Sequence, residues 1–301
     1  LANHAFLAEV QSSGDSRPVK LAVEREDGVT SVYETEIFGP DAGQDDANYM
    51  FVERIVKFLL WQRGGWKIVI GGAPEIGERI KEAYAPGGAR EFDADLMGGV
   101  YEKEFTVKVV DIDDVPAPKK KAISIGGHLE GCRVGFDLGA SDRKSASVID
   151  GEVTYSDEIE WDPKNQEDPE YHWDGIMESI RLAAEKMPRV DAIGGSAAGI
   201  YVDNKAKVAS LFRSVPEDEF EEKIEDIFIR IGDEFGCPIV VVNDGDVTAL
   251  AAGMDLEDDS ILGIAMGSSE AGGYLNNEGR INGWLNELAF APLDFSPDAP
   301  V

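Results

Sequence analysis

The sequence predicts an α/β protein with mixed sheets and flanking helices. Three observations carry that prediction. Two stretches each open with three strand-like segments and go on to alternate helix and strand, giving βββαβα in the first and βββαβαβα in the second. An apolar content of 43% over 301 residues is enough to fill real cores. A break rich in proline and charge, Pro116-Ala-Pro-Lys-Lys-Lys121, separates the two stretches as a linker would.

In the first stretch the predicted strands are Ala5–Val10, Val19–Glu24 and Val32–Phe38, divided by Gly, Asp and Pro turn clusters. A helix from about Asp46 to Gln62 follows, with Phe51, Ile55, Phe58 and Leu59 at helical spacing. Strand Trp66–Ile70, a Gly71-Gly72 turn, helix Glu75–Tyr84 and strand Phe105–Val110 complete it. In the second stretch strands are expected at 133–138, 145–150 and 152–159, then a helix over about Asp174–Lys186. Strand Val190–Gly194, a long helix over Glu217–Phe235, strand Pro238–Asn243 and helix Asp246–Gly253 continue the order. A further strand, Ile261–Met266, opens a third unit.

Charge narrows the function classes. With 59 acids against 28 bases the net charge is −31, which disfavours nucleic acid and anionic membrane as partners. No apolar run approaches the length of a membrane span, and the N-terminus lacks the basic-then-apolar pattern of a secretory signal, so a cytoplasmic protein is expected. Residues 1–120 carry 22 acids and 14 bases, a net of −8, and read as strands; this is no helix-turn-helix DNA reader. Cys132 and Cys237 read as buried free thiols, and the three histidines show no zinc spacing. Because the sequence begins at Leu1 rather than Met, a processed or incomplete chain is expected.

Three turns stand at the carboxyl ends of predicted strands, the edge where open α/β sheets bind ligands. Asp137 ends one strand, and the chain turns through Gly139-Ala140-Ser141 straight into the next, past Lys144. Such a hairpin tip aims N–H groups and a carboxylate at one point, which suits a nucleotide phosphate and its metal. Asn243-Asp-Gly-Asp246 lies between a strand and a helix, and Gly267-Ser-Ser-Glu-Ala-Gly-Gly273 follows a strand. Each taken singly is equally well read as a turn former, since Asn, Asp and Gly favour turns for local reasons. Their order along the chain favours the ligand-binding reading.

Together the three turns resemble the motifs of the actin-like ATPase superfamily, and within it the ROK (repressor, open reading frame, kinase) sugar kinases. Asp137-Leu-Gly-Ala-Ser-Asp-Arg-Lys144 resembles the first phosphate motif, Asn243-Asp-Gly-Asp-Val-Thr-Ala-Leu250 the catalytic Asn-Asp segment, and Gly263–Gly273 the second phosphate motif. Gly283-Trp-Leu-Asn-Glu-Leu-Ala-Phe290 sits where the family has its sugar-binding Gly-Glu-x-Gly-His stretch. Gly71-Gly72 is similar to the family's adenosine motif but reads as an ordinary strand-to-helix turn. The resemblance implies a ribonuclease H-like fold and ATP-dependent phosphoryl transfer to a sugar or polyol hydroxyl, with ATP and Mg²⁺ as cofactors and a homodimer as one possible assembly. Asp244 would be the general base and Asn243 would orient the hydroxyl or the base; Glu287 and Ser196 would contact the sugar. Asp137 would hold Mg²⁺ through water. Gly139, Ala140, Ser141, Lys144, Gly267, Ser268 and Ser269 would hold the phosphates.

The sequence also departs from that family. Phe290 replaces its histidine, no Cys-rich zinc motif occurs, and Ser269 followed by Glu270 stands where the second phosphate motif has its central glycine. The chain stops before the second half of the nucleotide cleft, which makes it either a fragment or a permuted kinase. The domain reading that follows has a degenerate ribonuclease H-like domain at 1–115, a linker at 116–131, a first kinase-like subdomain at 132–256 and the start of a second at 257–301. A nucleotide- or sugar-sensing module without turnover is the competing function.

Overall fold

The computed structural model describes residues 2–267 and 269–292 and divides into two compact units. The first holds the chain through Ala122 together with residues from Gly283 onward; the second is Ile123–Asn282. The tail thus differs from the expected boundary at 257, because residues up to Asn282 pack into the second unit and those from Gly283 pack into the first.

The first unit runs α1 (Ala2–Ser13), β1 (Ser16–Glu24), β2 (Thr30–Phe38), α2 (Asp45–Arg63), β3 (Lys67–Gly71), α3 (Pro74–Ala83), α4 (Glu91–Tyr101) and β4 (Thr106–Val110). Its first element is a helix, where a strand is expected at 5–10. Phe6, Leu7 and Val10 recur at helical spacing and turn inward, and Phe6 stacks on Phe51 with ring centroids 4.0 Å apart. The sheet order is β2-β1-β3-β4, with β1 antiparallel to both β2 and β3 and only β3 and β4 parallel. A ribonuclease H-like unit needs its first strand parallel to the strand after the first helix, so the first unit is mixed α/β with another topology. Trp61, Leu60, Ile68, Ile70 and Met97 fill its core. Pro116–Lys121 does not hang free, since Thr30 and Lys119 exchange backbone hydrogen bonds of 2.9 and 3.0 Å.

The second unit runs β5 (Cys132–Leu138), β6 (Asp142–Ile149), β7 (Glu152–Glu160), α5 (Pro169–Ala184), β8 (Ala192–Ala197), β9 (Ile200–Val202), β10 (Lys205–Val208), α6 (Glu217–Glu219), α7 (Ile227–Phe235), β11 (Ile239–Val242), α8 (Asp244–Leu256), β12 (Ile261–Met266) and β13 (Glu270–Leu275). The main sheet is ordered β11-β8-β5-β6-β7, with β5, β8 and β11 parallel and β6 antiparallel between β5 and β7. This is the expected ribonuclease H-like arrangement. Strand β5 alternates strictly, burying Cys132, Val134, Phe136 and Leu138 in a core shared with Ile176, Ile180, Phe212 and Phe228. Its other face carries Asp137, which is half-buried. Cys132 is buried and Cys237 half-buried, both free thiols.

The single helix expected over 217–235 is broken. A π-helical turn, Phe220–Ile224, separates α6 from α7, and Glu225 is drawn away by its carbonyl accepting from Ala206 and its carboxylate from Lys207. The hairpin β12–β13 lies directly on α8. A Cβ on Gly245 would stand 2.6 Å from the Gly272 carbonyl group, and Cβ atoms on Gly263 and Gly273 would also strike the facing backbone. Glycine here serves close helix–strand approach.

Candidate functional site

The backbone register lines up the candidate residues. Asp137 on β5 pairs with Lys144 on β6 and with Ser196 on β8, and Lys144 pairs in turn with Glu158 on β7. These residues form one rank across the sheet near its carboxyl edge. With Asp157 and with Asp244, Val247, Thr248 and Ala251 of α8 they line a cleft of about 1050 Å³. Asp137, Lys144, Ser196 and Asp244, singled out from the sequence, are thus brought together.

Asp244 is the first residue of α8. Asn243 is the N-cap: its Oδ1 accepts from the Gly245 N–H at 2.7 Å and its Nδ2 donates to the Gly199 carbonyl at 2.8 Å. The carboxamide is therefore engaged at both ends in fixing the strand-to-helix turn, and Asn243 acts on Asp244 by holding its backbone rather than by reaching a substrate. Burial pushes the Asp244 carboxyl above its ordinary range; the Gly245 N–H opposes this and the Asp137 charge adds to it. Asp246, which sequence reasoning took only as a helix start, is buried, and its carboxyl is pushed up to about 7 by burial first and the Asp244 charge second. Its Oδ1 has no hydrogen-bond partner. Asp157 and Glu158 also line the cleft unforeseen, because only strand pairing places them there.

Lys144 donates to Asp142 Oδ1 at 2.7 Å, which raises the lysine and, together with the Ser141 hydroxyl, lowers the Asp142 carboxyl. The turn before it is closed by its own bonds. Gly139 N–H donates to the Asp142 carbonyl at 2.9 Å, so Gly139 cannot offer that N–H to a phosphate as expected. Trp161 grips the same turn, its Nε1 donating to the Gly139 carbonyl at 2.9 Å and its backbone N–H to the Ser141 carbonyl at 3.0 Å. Ala140 and Ser141 are left as the turn's candidate phosphate contacts.

Gly139, Ala140, Ser141, Asn243, Gly267, Ser269 and Glu287 are not among the residues lining the cleft. Gly267 N–H donates to the Ser269 carbonyl at 2.9 Å, closing the β12–β13 hairpin, and Ser269 is exposed. Ser268 lies outside the described residues. Glu287 belongs to the first unit, where it is buried and its backbone N–H donates to the Trp61 carbonyl at 3.0 Å. Phe290 stacks on Trp61 at 4.3 Å, so the side chain in place of the family's histidine packs against that unit's core.

Hard carboxylate oxygens suit Mg²⁺, and Asp137 and Asp244 are close enough for one charge to shift the other's titration. Among the described residues no three His, Cys, Asp or Glu side chains converge as direct ligands. Among the same residues no helix is long and apolar enough to cross a membrane.

No family model matches the chain, and no curated protein does. Solved structures of ROK proteins are similar to it. The ROK hexokinase of Thermus thermophilus is 20% identical, with 52% of this chain matched to 51% of that one at a TM-score of 0.40. A ROK-family transcriptional regulator, a homologue of the E. coli MLC protein, is 20% identical over 57% of this chain and 43% of its own, at 0.44. A glucokinase from Parabacteroides distasonis is 13% identical over 52% and 47%, at 0.39. The chain spans about half the length of the solved structures that it matches.

Proposed function

We propose that the cleft of the second unit is the site of an ATP-dependent phosphotransferase acting on a hydroxyl of a sugar or related polyol in the cytoplasm. The observation that carries this reading is that Asp137, near the end of β5, and Asp244, at the start of α8, face one cleft with Lys144. A hydroxyl is a poor nucleophile at neutral pH. A carboxylate within hydrogen-bond reach improves it by taking its proton as the new O–P bond forms and the bond to the ADP leaving group breaks. Asp244 fits that role because burial raises its basicity. Ser196 is placed to hydrogen-bond a substrate hydroxyl, and Lys144 to meet phosphate charge. Bound Mg²⁺, held by Asp137 through water, would supply neutralisation of the phosphate oxygens.

The test is calorimetric titration with Mg-ATP, followed by a phosphoryl-transfer screen over sugars. Asp244→Asn is expected to lower kcat by on the order of 10²–10⁴ and leave nucleotide affinity nearly unchanged. Absence of nucleotide binding refutes the reading. One observation favours the second reading, a sensing module without turnover: the N–H groups of Gly139 and Gly267 are both engaged within their own turns. That reading expects binding without transfer in every assay.

A further inference from the structure

A second cavity, of about 620 Å³, opens on the opposite face of the same sheet. Neighbouring residues of β6 serve the two faces, Lys144 the cleft and Arg143 this groove. Arg143 forms the floor and is only 6% exposed. Its terminal nitrogens are engaged, donating to the Gly175 carbonyl, to Ser179 Oγ at 2.7 Å and to Glu178. Its Nε is buried without a partner. An unsatisfied buried N–H of a charged group is unfavourable and calls for an acceptor.

Glycine keeps a side chain out of the space beside that nitrogen. Gly175 sits inside α5, where glycine weakens a helix. A Cβ there would stand 3.6 Å from Arg143 Nε and 3.3 Å from the Trp161 ring. The wall beyond is aromatic, Trp161 and Tyr171 lying near-parallel with centroids 6.5 Å apart. Around the mouth Glu160, Asp174 and Glu185 form no ion pair among the described residues. A cationic donor at the floor, a flat apolar wall and unpaired carboxylates at the rim suit a ligand with an anionic end and a cationic, preferably planar, end.

We propose that this groove is a binding site for a basic α-amino acid, with its carboxylate on Arg143 Nε and its cationic side chain against Trp161 and the rim carboxylates. The inference is independent of the phosphotransferase reading. It concerns a separate surface, although Trp161 links the two by gripping the Gly139–Ser141 turn.

Calorimetry and tryptophan fluorescence on the whole chain with L-arginine and L-lysine test it, with agmatine as the probe that lacks the carboxylate. Saturable binding of L-arginine is expected, with agmatine at least tenfold weaker because the charge-assisted bond to Arg143 is missing. Gly175→Ala fills the space beside Nε and should weaken L-arginine at least tenfold while the protein stays folded by circular dichroism, since alanine suits a helix better. Asp174→Asn should weaken L-arginine and agmatine alike. No binding of either amino acid at millimolar concentration overturns the proposal, as does agmatine matching L-arginine or Gly175→Ala binding like the wild type. Loss of nucleotide binding with amino-acid binding intact would overturn the phosphotransferase reading alone.

Discussion

Asp246→Asn should change how stability depends on pH, and by a calculable amount. The carboxyl has an ordinary value of 3.8 and is pushed up to about 7 in the fold, chiefly by burial. A raised carboxyl binds its proton more tightly folded than unfolded. Its contribution is therefore complete below pH 4 and is lost steadily as pH rises to about 7, after which the loss is constant. A rise from 3.8 to about 7 corresponds to about 4 kcal/mol at the plateau, of which about 3 kcal/mol falls between pH 4.5 and 8. The dipole of α8 favours an anion at this first-turn position by about 0.3–1 kcal/mol, which trims the figure without reversing it. Asparagine keeps the shape and cannot ionise. Urea unfolding of both proteins at pH 4.5 and 8, followed by circular dichroism, gives a double difference. The pH-independent effect of the amide and the titration of every other group cancel in it. The variant should gain about 3 kcal/mol relative to wild type on going from pH 4.5 to 8. A difference that does not change with pH refutes the assignment of a buried, proton-holding Asp246.

Other expectations are briefer. Gly245→Ala puts a methyl 2.6 Å from the Gly272 carbonyl group and should destabilise α8 against β13 by about 1–3 kcal/mol, visible as faster amide exchange in α8. In the first unit the buried Asp93 accepts from the buried Trp61 Nε1 at 2.6 Å and lies 3.5 Å from the half-buried Lys57 Nζ; Asp93→Ala should cost about 1–3 kcal/mol in urea unfolding, because it leaves the buried indole N–H without its acceptor. ATP titrated with EDTA in place of Mg²⁺ should bind too weakly to detect. Equal affinity with and without Mg²⁺ would contradict the charge argument below.

What the sequence revealed follows the range of the interactions involved. The strand-to-helix turn at Asn243-Asp244 was readable because capping is local and Asn243 does cap α8. The second unit's order was readable because its strands alternate or run apolar and its turns are marked. Helix α1 was hidden because Ala5–Val10 alternates over so few residues that period 2 and period 3.6 are both satisfied. Helix α4 was not expected, because Gly98-Gly99 weaken the helix preference of the segment, and packing through Met97 and Val100 holds it. The direction of β1 against β3, the destination of Glu287 and the arrival of Asp157 and Glu158 at the cleft depend on pairings between residues far apart in sequence. No local pattern encodes them. Gly273 shows a further ambiguity: a phosphate loop and a close helix–strand contact need the same residue type, and its approach to Gly245 and Asp246 of α8 is not encoded locally.

The balance of charge in the cleft bears on the form in which the proposed nucleotide would be accepted. Asp137, Asp157, Glu158 and Asp244 face it against Lys144, and that lysine is already bonded to Asp142. A bare triphosphate would bring further negative charge toward these carboxylates, each close contact opposing binding by about 1–4 kcal/mol depending on the local dielectric. The backbone N–H groups left over in the Gly139–Ser141 turn are too few to offset several such contacts at about 1 kcal/mol each. A divalent cation would change the sign of the sum, and Asp137 would be the residue to hold it. The acidity that argues against a nucleic-acid partner for the whole chain thus becomes, inside this cleft, the reason that a phosphate ligand would have to arrive as its magnesium complex.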